Sequence, residues 1–163
     1  MCCSLIKRFV FSLLLLLCYA SLGWASEPKG PPKVTEKDKC PVCGMFVAKY
    51  PDWMTSVLFK DGSIAFFDGP KDMFKYLLNL KRFNPSKKKE DVENIWVKDY
   101  YSLSFIKARE AWFVLGSDIF GPMGHELIPL GKESEAKEFL KDHKGKRILK
   151  FNEVSMEVIT PLD

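Results

Sequence analysis

The strongest constraint on the fold of this chain is an order of secondary structure that its sequence predicts twice. In the first instance, residues 53–59 and 63–67 are apolar runs rich in β-branched and aromatic residues, separated by Lys60-Asp61-Gly62. Asp-Gly between two such runs is a strong signal for a β-hairpin. These residues therefore predict two antiparallel strands joined by a tight turn.

A helix and a further strand are predicted after this hairpin. Apolar residues recur at helical spacing up to Leu80, after a cap at Asp68 or Gly69 and a proline that suits the first turn. Residues 81–91 form a polar, basic loop, and the next strand begins at Ile95. The first instance is thus a ββαβ unit.

The same order recurs in the rest of the chain. Two strands, a helix and a last strand are predicted over residues 111–115, 126–130, 133–143 and 147–151. The two helices are offset by 62 residues, and residue identity between the units is slight, so the repeat is one of pattern. We therefore predict an α+β fold of two tandem ββαβ units with antiparallel sheet, over residues 40–107 and 108–163.

The first 25 residues have the pattern of a secretory signal peptide. Lys7 and Arg8 form a positive region, an apolar run follows to Leu17, and Gly23-Trp24-Ala25 is a small-x-small cleavage site. An uncleaved membrane anchor and a lipidated Cys18 stay open as alternatives, although Leu17 stands where a small residue normally precedes a lipidated cysteine. We expect a periplasmic or otherwise extracytoplasmic protein, with membrane association if the signal is retained or lipidated.

Residues 26–39 combine Pro, Gly, Ser and charged residues, and predict a flexible tether.

The charge of the chain argues against nucleic-acid binding. Without residues 1–25 the formal net charge falls from +4 to +2, with basic residues nearly balanced by acidic ones. Since nucleic-acid binding requires a strongly basic footprint, no nucleic-acid partner is expected.

Cys40-Pro-Val-Cys43-Gly-Met45 is the dense cluster of sulfur in the chain after residue 25. Two thiolates and a thioether make a soft site that suits Cu(I), which accepts two or three sulfur ligands. Zn(II) fits less well, because a structural zinc site needs two further ligands. A disulfide, structural or redox-active, also stays open, although a polar tether precedes the pair where a redox thiol would need a helix N-terminus.

A second group of donors lies in Gly121-Pro-Met123-Gly-His125, a glycine-rich turn. A hairpin turn explains the glycines and the proline, but it does not explain a long apolar side chain in an exposed turn. Either Met123 or His125 is therefore a candidate ligand from the second unit. His143, at the end of a predicted helix, is expected to be a surface cation. Met54 and Met73 are expected in the core.

Motifs for catalysis are missing from the sequence. It contains no nucleophile elbow, no P-loop, no Rossmann glycines and no paired histidines with a carboxylate. Cys43 and His125 have the residue types of a nucleophile and its base, but nothing in the sequence places them together. We therefore predict that the protein is not an enzyme.

Three segments in one order resemble the NosL family of nitrous oxide reductase accessory proteins: CPVCGM at 40–45, FKDGSIAFFDGPKDMFKYL at 59–77 and GPMGHELIPL at 121–130. The resemblance implies a chaperone that holds Cu(I) outside the cytoplasmic membrane and delivers it to the copper centre of that reductase. It also implies a fold similar to paired ββαβ units, as in organomercurial lyase. The resemblance also implies that the metal ligands are Cys40, Cys43, Met45 and Met123.

Overall fold

The computed structural model describes residues 30–163, and the predicted signal peptide lies outside them. Seven strands and four α-helices occur in this range, with short 3-10 turns between some of them. In chain order they are β1 (Thr55–Phe59), β2 (Ile64–Phe67), α1 (Pro70–Leu78), α2 (Leu80–Phe83), β3 (Val92–Lys98), β4 (Phe105–Lys107), β5 (Trp112–Gly121), β6 (Gly124–Leu130), α3 (Glu133–Asp142), β7 (Arg147–Lys150) and α4 (Met156–Ile159).

The strands form two antiparallel sheets that repeat one topology. The strand order is β2-β1-β3-β4 in the first sheet and β6-β5-β7 in the second. In each unit the helix connects the second strand to the third, and the third strand pairs with the first. The predicted α+β fold of two tandem ββαβ units is confirmed, with β4 as an addition to the first unit.

The β1–β2 hairpin forms where the sequence predicts it. Thr55 pairs with Phe67 and Leu58 with Ile64, and the turn closes through Gly62 at φ 82°. That left-handed backbone conformation strains any residue with a Cβ, which explains the glycine. The turn places the end of β2 beside the start of β1, and α1 begins there.

Helix α1 lies between the two sheets. It contacts β1 and β2 on one side and β6 on the other, and seven of its nine residues are buried. The Phe74 ring lies 5.1 Å from the Phe113 ring of β5, edge to face, and 5.0 Å from Phe151. One large hydrophobic cluster therefore runs through both units, and it includes Met54 and Met73 as predicted.

Helix α3 covers the opposite face of the second sheet. Because side chains alternate along a strand, Phe113 of β5 faces the large cluster while Val114 faces α3. Val114 packs there in a smaller cluster with Ala136 and Phe139 of the helix. The second sheet is thus buried on both faces.

Some elements differ from the predicted pattern. Helix α1 ends at Leu78, and α2 occupies the start of the predicted basic loop, because Asn79 leaves the helical conformation at φ −122°. Strand β4 and helix α4 are not predicted, since three or four residues carry no readable periodicity. Val34, in the predicted tether, packs against the large cluster. The domain boundaries themselves stay predictions.

None of the helices within residues 30–163 is long and apolar enough to cross a bilayer.

Candidate metal centre

Cys40 and Cys43 lie in a tight loop immediately before the first ββαβ unit. The loop closes when the Cys40 N–H donates to the Met45 carbonyl at 2.8 Å and the Gly44 N–H donates to the Cys40 carbonyl at 2.9 Å. Gly44 has φ 79°, a conformation that favours glycine. Val47, fully buried, anchors the chain that leaves the loop. Local backbone bonds thus bring the two cysteine side chains back toward each other.

Two carboxylates from the start of α1 meet these thiols. The Cys40 Sγ donates to Asp72 Oδ2 at 3.4 Å, and the Cys43 Sγ donates to Asp68 Oδ1 at 3.2 Å. One donor atom from each of these four residues lies within 4.8 Å of all the others. Cys40, Asp68 and Asp72 are buried, whereas Cys43 is half-buried. The arrangement is therefore a compact group of donors with a single partly open side.

Burial keeps both cysteines in the thiol form. Loss of solvent raises the pKa of Cys40 far above its ordinary value, and the nearby charges of Asp72 and Asp68 add to the rise. For Cys43, burial is again the main cause, hydrogen bonds to Asp72 and Asp68 contribute, and the pKa rises to about 12. Backbone N–H groups oppose both shifts only in part. A cation is needed to stabilise the thiolates here.

Asp68 is left with unused bonding capacity. Its Oδ2 is buried and has no hydrogen-bond partner among the residues that the structure describes. A buried carboxylate oxygen without a partner is costly, and such a group commonly marks a place where an ion or a proton binds. The donor group therefore fits a cation in its chemistry as well as in its spacing.

The sequence prediction missed both carboxylates. It gave Asp68 or Gly69 as the cap of α1, and the cap is Gly69, with no side-chain hydrogen bond. Asp72 lies in the first turn of the same helix. Asp68 precedes the extended residue Gly69, so helical spacing does not place it beside Asp72, and no local signal in the sequence indicates the pair.

Met45 is half-buried at the end of the cysteine loop, and its carbonyl closes that loop. Met123 lies in the turn between β5 and β6, where 45% of its surface is exposed. The Met123 carbonyl accepts a hydrogen bond at 2.9 Å from the Nζ of Lys71, the residue before Asp72 in α1. The β5–β6 turn is thereby attached to the end of α1 that carries the site carboxylates.

The two histidines lie outside the donor group. His125 is exposed, with its ring 4.7 Å from the Phe120 ring. His143 follows α3, stacks on Phe139 at 4.3 Å between ring centroids and lies 3.3 Å from Asp118. No histidine belongs to the potential metal-binding group found in residues 30–163.

Two repeated ββαβ units, with thiols and carboxylates collected at the N-terminus of the interior helix, define a small α+β protein with a candidate metal site. The chain belongs to the NosL family, whose profile matches residues 31–159. The resemblance inferred from its three sequence segments is thereby confirmed.

Individual relatives agree with this assignment. The copper-binding lipoprotein NosL of Stutzerimonas stutzeri is 26% identical over 126 residues, which cover 76% of this chain and 65% of the relative. The crystal structure of the copper chaperone NosL from Shewanella denitrificans is similar at 25% identity, with a TM-score of 0.66. That alignment covers 80% of this chain and 98% of the other. Neither relative is named as an enzyme.

Proposed function

We propose that this protein is an exported, non-enzymatic Cu(I) chaperone that binds the ion between Cys40 and Cys43 and passes it to a copper enzyme, nitrous oxide reductase. The observation that carries the proposal is the grouping of two thiols and two carboxylates within 4.8 Å. Cu(I) favours thiolate ligands and needs only two or three of them. The names of the relatives add support, since both refer to copper.

The difference in exposure between the two thiols suits transfer of the ion. Cys40 is 2% exposed, so its sulfur holds the inner side of the site, whereas Cys43 is half-buried at the open side. A ligand of the client enzyme can therefore attack the ion beside Cys43 and exchange with it. Met45 adds a thioether from the same loop, and Met123 supplies one from the second unit.

The decisive test is Cu(I) affinity, measured by competition with a chromophoric Cu(I) chelator under reducing conditions. We expect Cys43→Ser to abolish tight binding, and Cys40→Ser with Cys43→Ser to weaken it by more than about a thousandfold while circular dichroism stays unchanged. Stoichiometric Cu(I) binding that survives in the double variant would overturn the assignment.

The thioether ligands are tested by isosteric replacement. Met45→Leu and Met123→Leu keep apolar volume and remove sulfur, and we expect each to weaken Cu(I) binding by about tenfold. Met156→Leu is the matched control, because Met156 is a similarly exposed methionine on α4. Equal Cu(I) affinities for all three variants would show that neither the Met45 nor the Met123 sulfur binds the ion.

Cu(I) affinity also depends on pH in a defined direction. Both thiols have raised pKa values and are protonated near neutrality, so binding must displace their protons. Each displaced proton makes the apparent affinity rise by about tenfold per pH unit, which gives a combined slope near two on logarithmic axes. Titrations between about pH 6 and pH 8 measure this slope, and an affinity independent of pH would contradict ligation by both thiolates.

A zinc-binding structural domain is the second candidate, because the two carboxylates supply the two further ligands that Zn(II) requires. Asp68→Asn and Asp72→Asn separate the candidates. For a copper chaperone we expect Cu(I) affinity to fall by about 10- to 100-fold, as for residues that only contact the ligands. A larger loss for Zn(II), together with a fold that unfolds in chelator, would favour the zinc domain.

A thiol–disulfide enzyme is less well supported by the site. Redox-active cysteines depend on a lowered thiol pKa, and both pKa values here are raised. Titration of the pair with dithiothreitol gives its reduction potential. Turnover on a disulfide substrate, with a potential near those of strong oxidants, would favour the enzyme.

A further inference from the structure

A strongly basic surface follows α1 and is separate from the candidate metal centre. Five basic side chains line one concavity beside the C-terminal end of that helix: Lys81, Arg82, Lys87, Lys88 and Lys89. Leu78 and Leu80 also line this concavity. We call these five residues the basic surface.

The charge of this region exceeds that of the whole exported chain. Residues 60–61 and 81–91 contain six basic and three acidic residues, a net charge of +3, while residues 26–163 together carry +2. The rest of residues 26–163 therefore carries a net charge of −1. A positive region on an otherwise near-neutral protein orients it toward a polyanion rather than merely increasing its solubility.

The basic surface is held in a fixed shape by contacts on its inner side. Lys87 pairs with Asp61 in the β1–β2 turn, and its Nζ lies 5.0 Å from the centroid of the Phe59 ring. Asn84 donates to the Tyr76 hydroxyl at 2.9 Å, which ties the loop to α1. An ordered loop presents its cations without the entropic cost of fixing a flexible segment.

Three of the cations stay available for a partner. Lys81, Lys88 and Lys89 are exposed, and within residues 30–163 none of them forms an ion pair with a carboxylate. Arg82, by contrast, lies over the Phe83 ring at 5.3 Å. The three lysines are therefore the residues whose charge an external anion can satisfy.

The basic surface and the metal centre lie at opposite ends of the same layer. Asp68 and Asp72 are at the N-terminal end of α1, beside the start of β1, where the Thr55 hydroxyl donates to the Gly69 carbonyl. The basic surface follows the C-terminal end of α1, and its Lys87 lies beside Phe59 at the end of β1. Nine helical residues alone separate the two ends by about 13 Å.

We propose that the basic surface binds the anionic phospholipid surface of a membrane and holds the metal centre on the side that faces away from the lipid. The apolar run at the N-terminus predicts that the chain passes through or stays at a membrane, so anionic lipid is the polyanion nearest to it. Each cation close to an anionic membrane adds about fivefold to the partition coefficient, an effect that salt screens. The inference does not depend on copper as the bound ion.

Binding to vesicles tests the proposal. Residues 30–163 contain both sheets and both hydrophobic clusters, so a protein of residues 26–163 is used, free of the apolar N-terminus. We expect it to bind phosphatidylcholine vesicles that contain about a third phosphatidylglycerol, and to bind pure phosphatidylcholine vesicles at least about tenfold more weakly. Added salt should release it from the anionic vesicles.

Charge-reversal variants then assign the binding to this surface. We expect Lys81→Glu, Lys88→Glu and Lys89→Glu together to lower the partition coefficient by about a hundredfold. The control reverses three lysines at α3, Lys132, Lys137 and Lys141, which changes the net charge equally on another face. The control variant should bind as the parent protein does, and both variants should bind Cu(I) as the parent protein does.

A third measurement uses the full chain in vesicles. Acetylation of lysines, read by mass spectrometry, should be suppressed at Lys81, Lys88 and Lys89 in anionic vesicles relative to neutral ones, and unchanged at Lys137 and Lys141. Equal loss of binding in the two triple variants would overturn the proposal, because net charge would then explain the effect. Equal binding to anionic and neutral vesicles would also overturn it and would leave an acidic protein as the partner class.

Discussion

The two ββαβ units share one strand order and place their helices in different surroundings. Helix α1 lies between the sheets with seven of nine residues buried, whereas α3 covers an outer face and buries only Ala136 and Phe139. The candidate metal centre lies at the N-terminus of the interior helix. The comparison shows that the repeated topology supplies the framework, and that the site requires the added cysteine loop together with burial from both sides.

At the start of each helix, a backbone N–H donates a hydrogen bond to a carboxylate from the other ββαβ unit. The Glu126 side chain of β6 accepts the Lys71 N–H at the start of α1, and Asp99, just after β3, accepts the Gly131 N–H before α3 at 2.7 Å. Gly69 leaves room for the first of these, because a Cβ there would lie 2.3 Å from Glu126 Oε2. The reciprocal contacts join the units at both helix starts.

These two carboxylates nevertheless respond oppositely to their surroundings. Complete burial raises the pKa of Glu126 to about 8, and the N–H groups of Leu127 and Lys71 oppose the shift only in part. Burial also acts to raise the pKa of Asp99, but donors from Ser102, Gly131 and Tyr101 outweigh it and hold the pKa below its usual value. The balance between burial, which raises the pKa, and the number of hydrogen-bond donors, which lowers it, decides the direction of each shift.

The largest expected effect comes from the aromatic residues that fix the two helices. Phe74→Ala removes the ring that joins α1 to β5, and Phe139→Ala removes the ring that joins α3 to the second sheet. Each should lower the free energy of unfolding by about 3–5 kcal/mol, measured by urea denaturation. Phe74→Ala should also weaken Cu(I) binding.

Phe139→Ala serves as the control for that prediction, because α3 carries no part of the metal centre. Unchanged Cu(I) affinity in Phe139→Ala and weakened affinity in Phe74→Ala would support the distinction between the helices. Equal weakening in both would show that the site senses overall stability alone.

A second effect follows from the opposite pKa shifts. The folded-state pKa of Glu126 lies above its ordinary value of 4.5, so the folded protein binds more protons between those two values. Stability is therefore greatest below about pH 4.5 for this group and falls as the pH rises toward about 8, by up to about 5 kcal/mol. Glu126→Gln should flatten the dependence, measured by urea denaturation across that range.

Asp99 should show the reverse dependence. Its pKa is lowered in the folded state, so its contribution is present above the ordinary value of 3.8 and is lost as the pH falls below it. Asp99→Asn should cost about 2 kcal/mol near neutral pH, because buried N–H donors lose a charged acceptor. A stability profile with the same slope in both variants would contradict the contrast between the two helix starts.

The smallest expected effect separates the added cysteine loop from the repeated framework. Gly44 and Gly62 have similar positive φ angles, 79° and 82°, and no atom lies within 4 Å of a Cβ at either position. Gly44→Ala and Gly62→Ala should each cost about 1 kcal/mol through backbone strain alone. Only Gly44→Ala should weaken Cu(I) binding, by severalfold. Equal Cu(I) affinities in the two variants would show that the conformation of the cysteine loop does not affect binding.

Prediction from the sequence succeeded where neighbouring residues carry the information. Asp61-Gly62 requires a tight turn, Pro70 begins a helix, and the apolar runs of β5 and β6 are readable over several residues. It was least accurate where an element is short, as in β4, or where a helix stops without a breaker, as α1 does at Leu78. Tertiary contacts set those boundaries.

The sequence by itself determined the order of the elements, the repeat and the sulfur of the candidate site, because periodicity, turn residues and cysteine spacing are local properties. Only the tertiary structure decided which carboxylates face the thiols. Asp68 is 25 residues from Cys43, and Asp72 is 32 residues from Cys40. Such pairs meet because α1 is enclosed between two sheets, and that burial is a property of the packed chain that no short segment encodes.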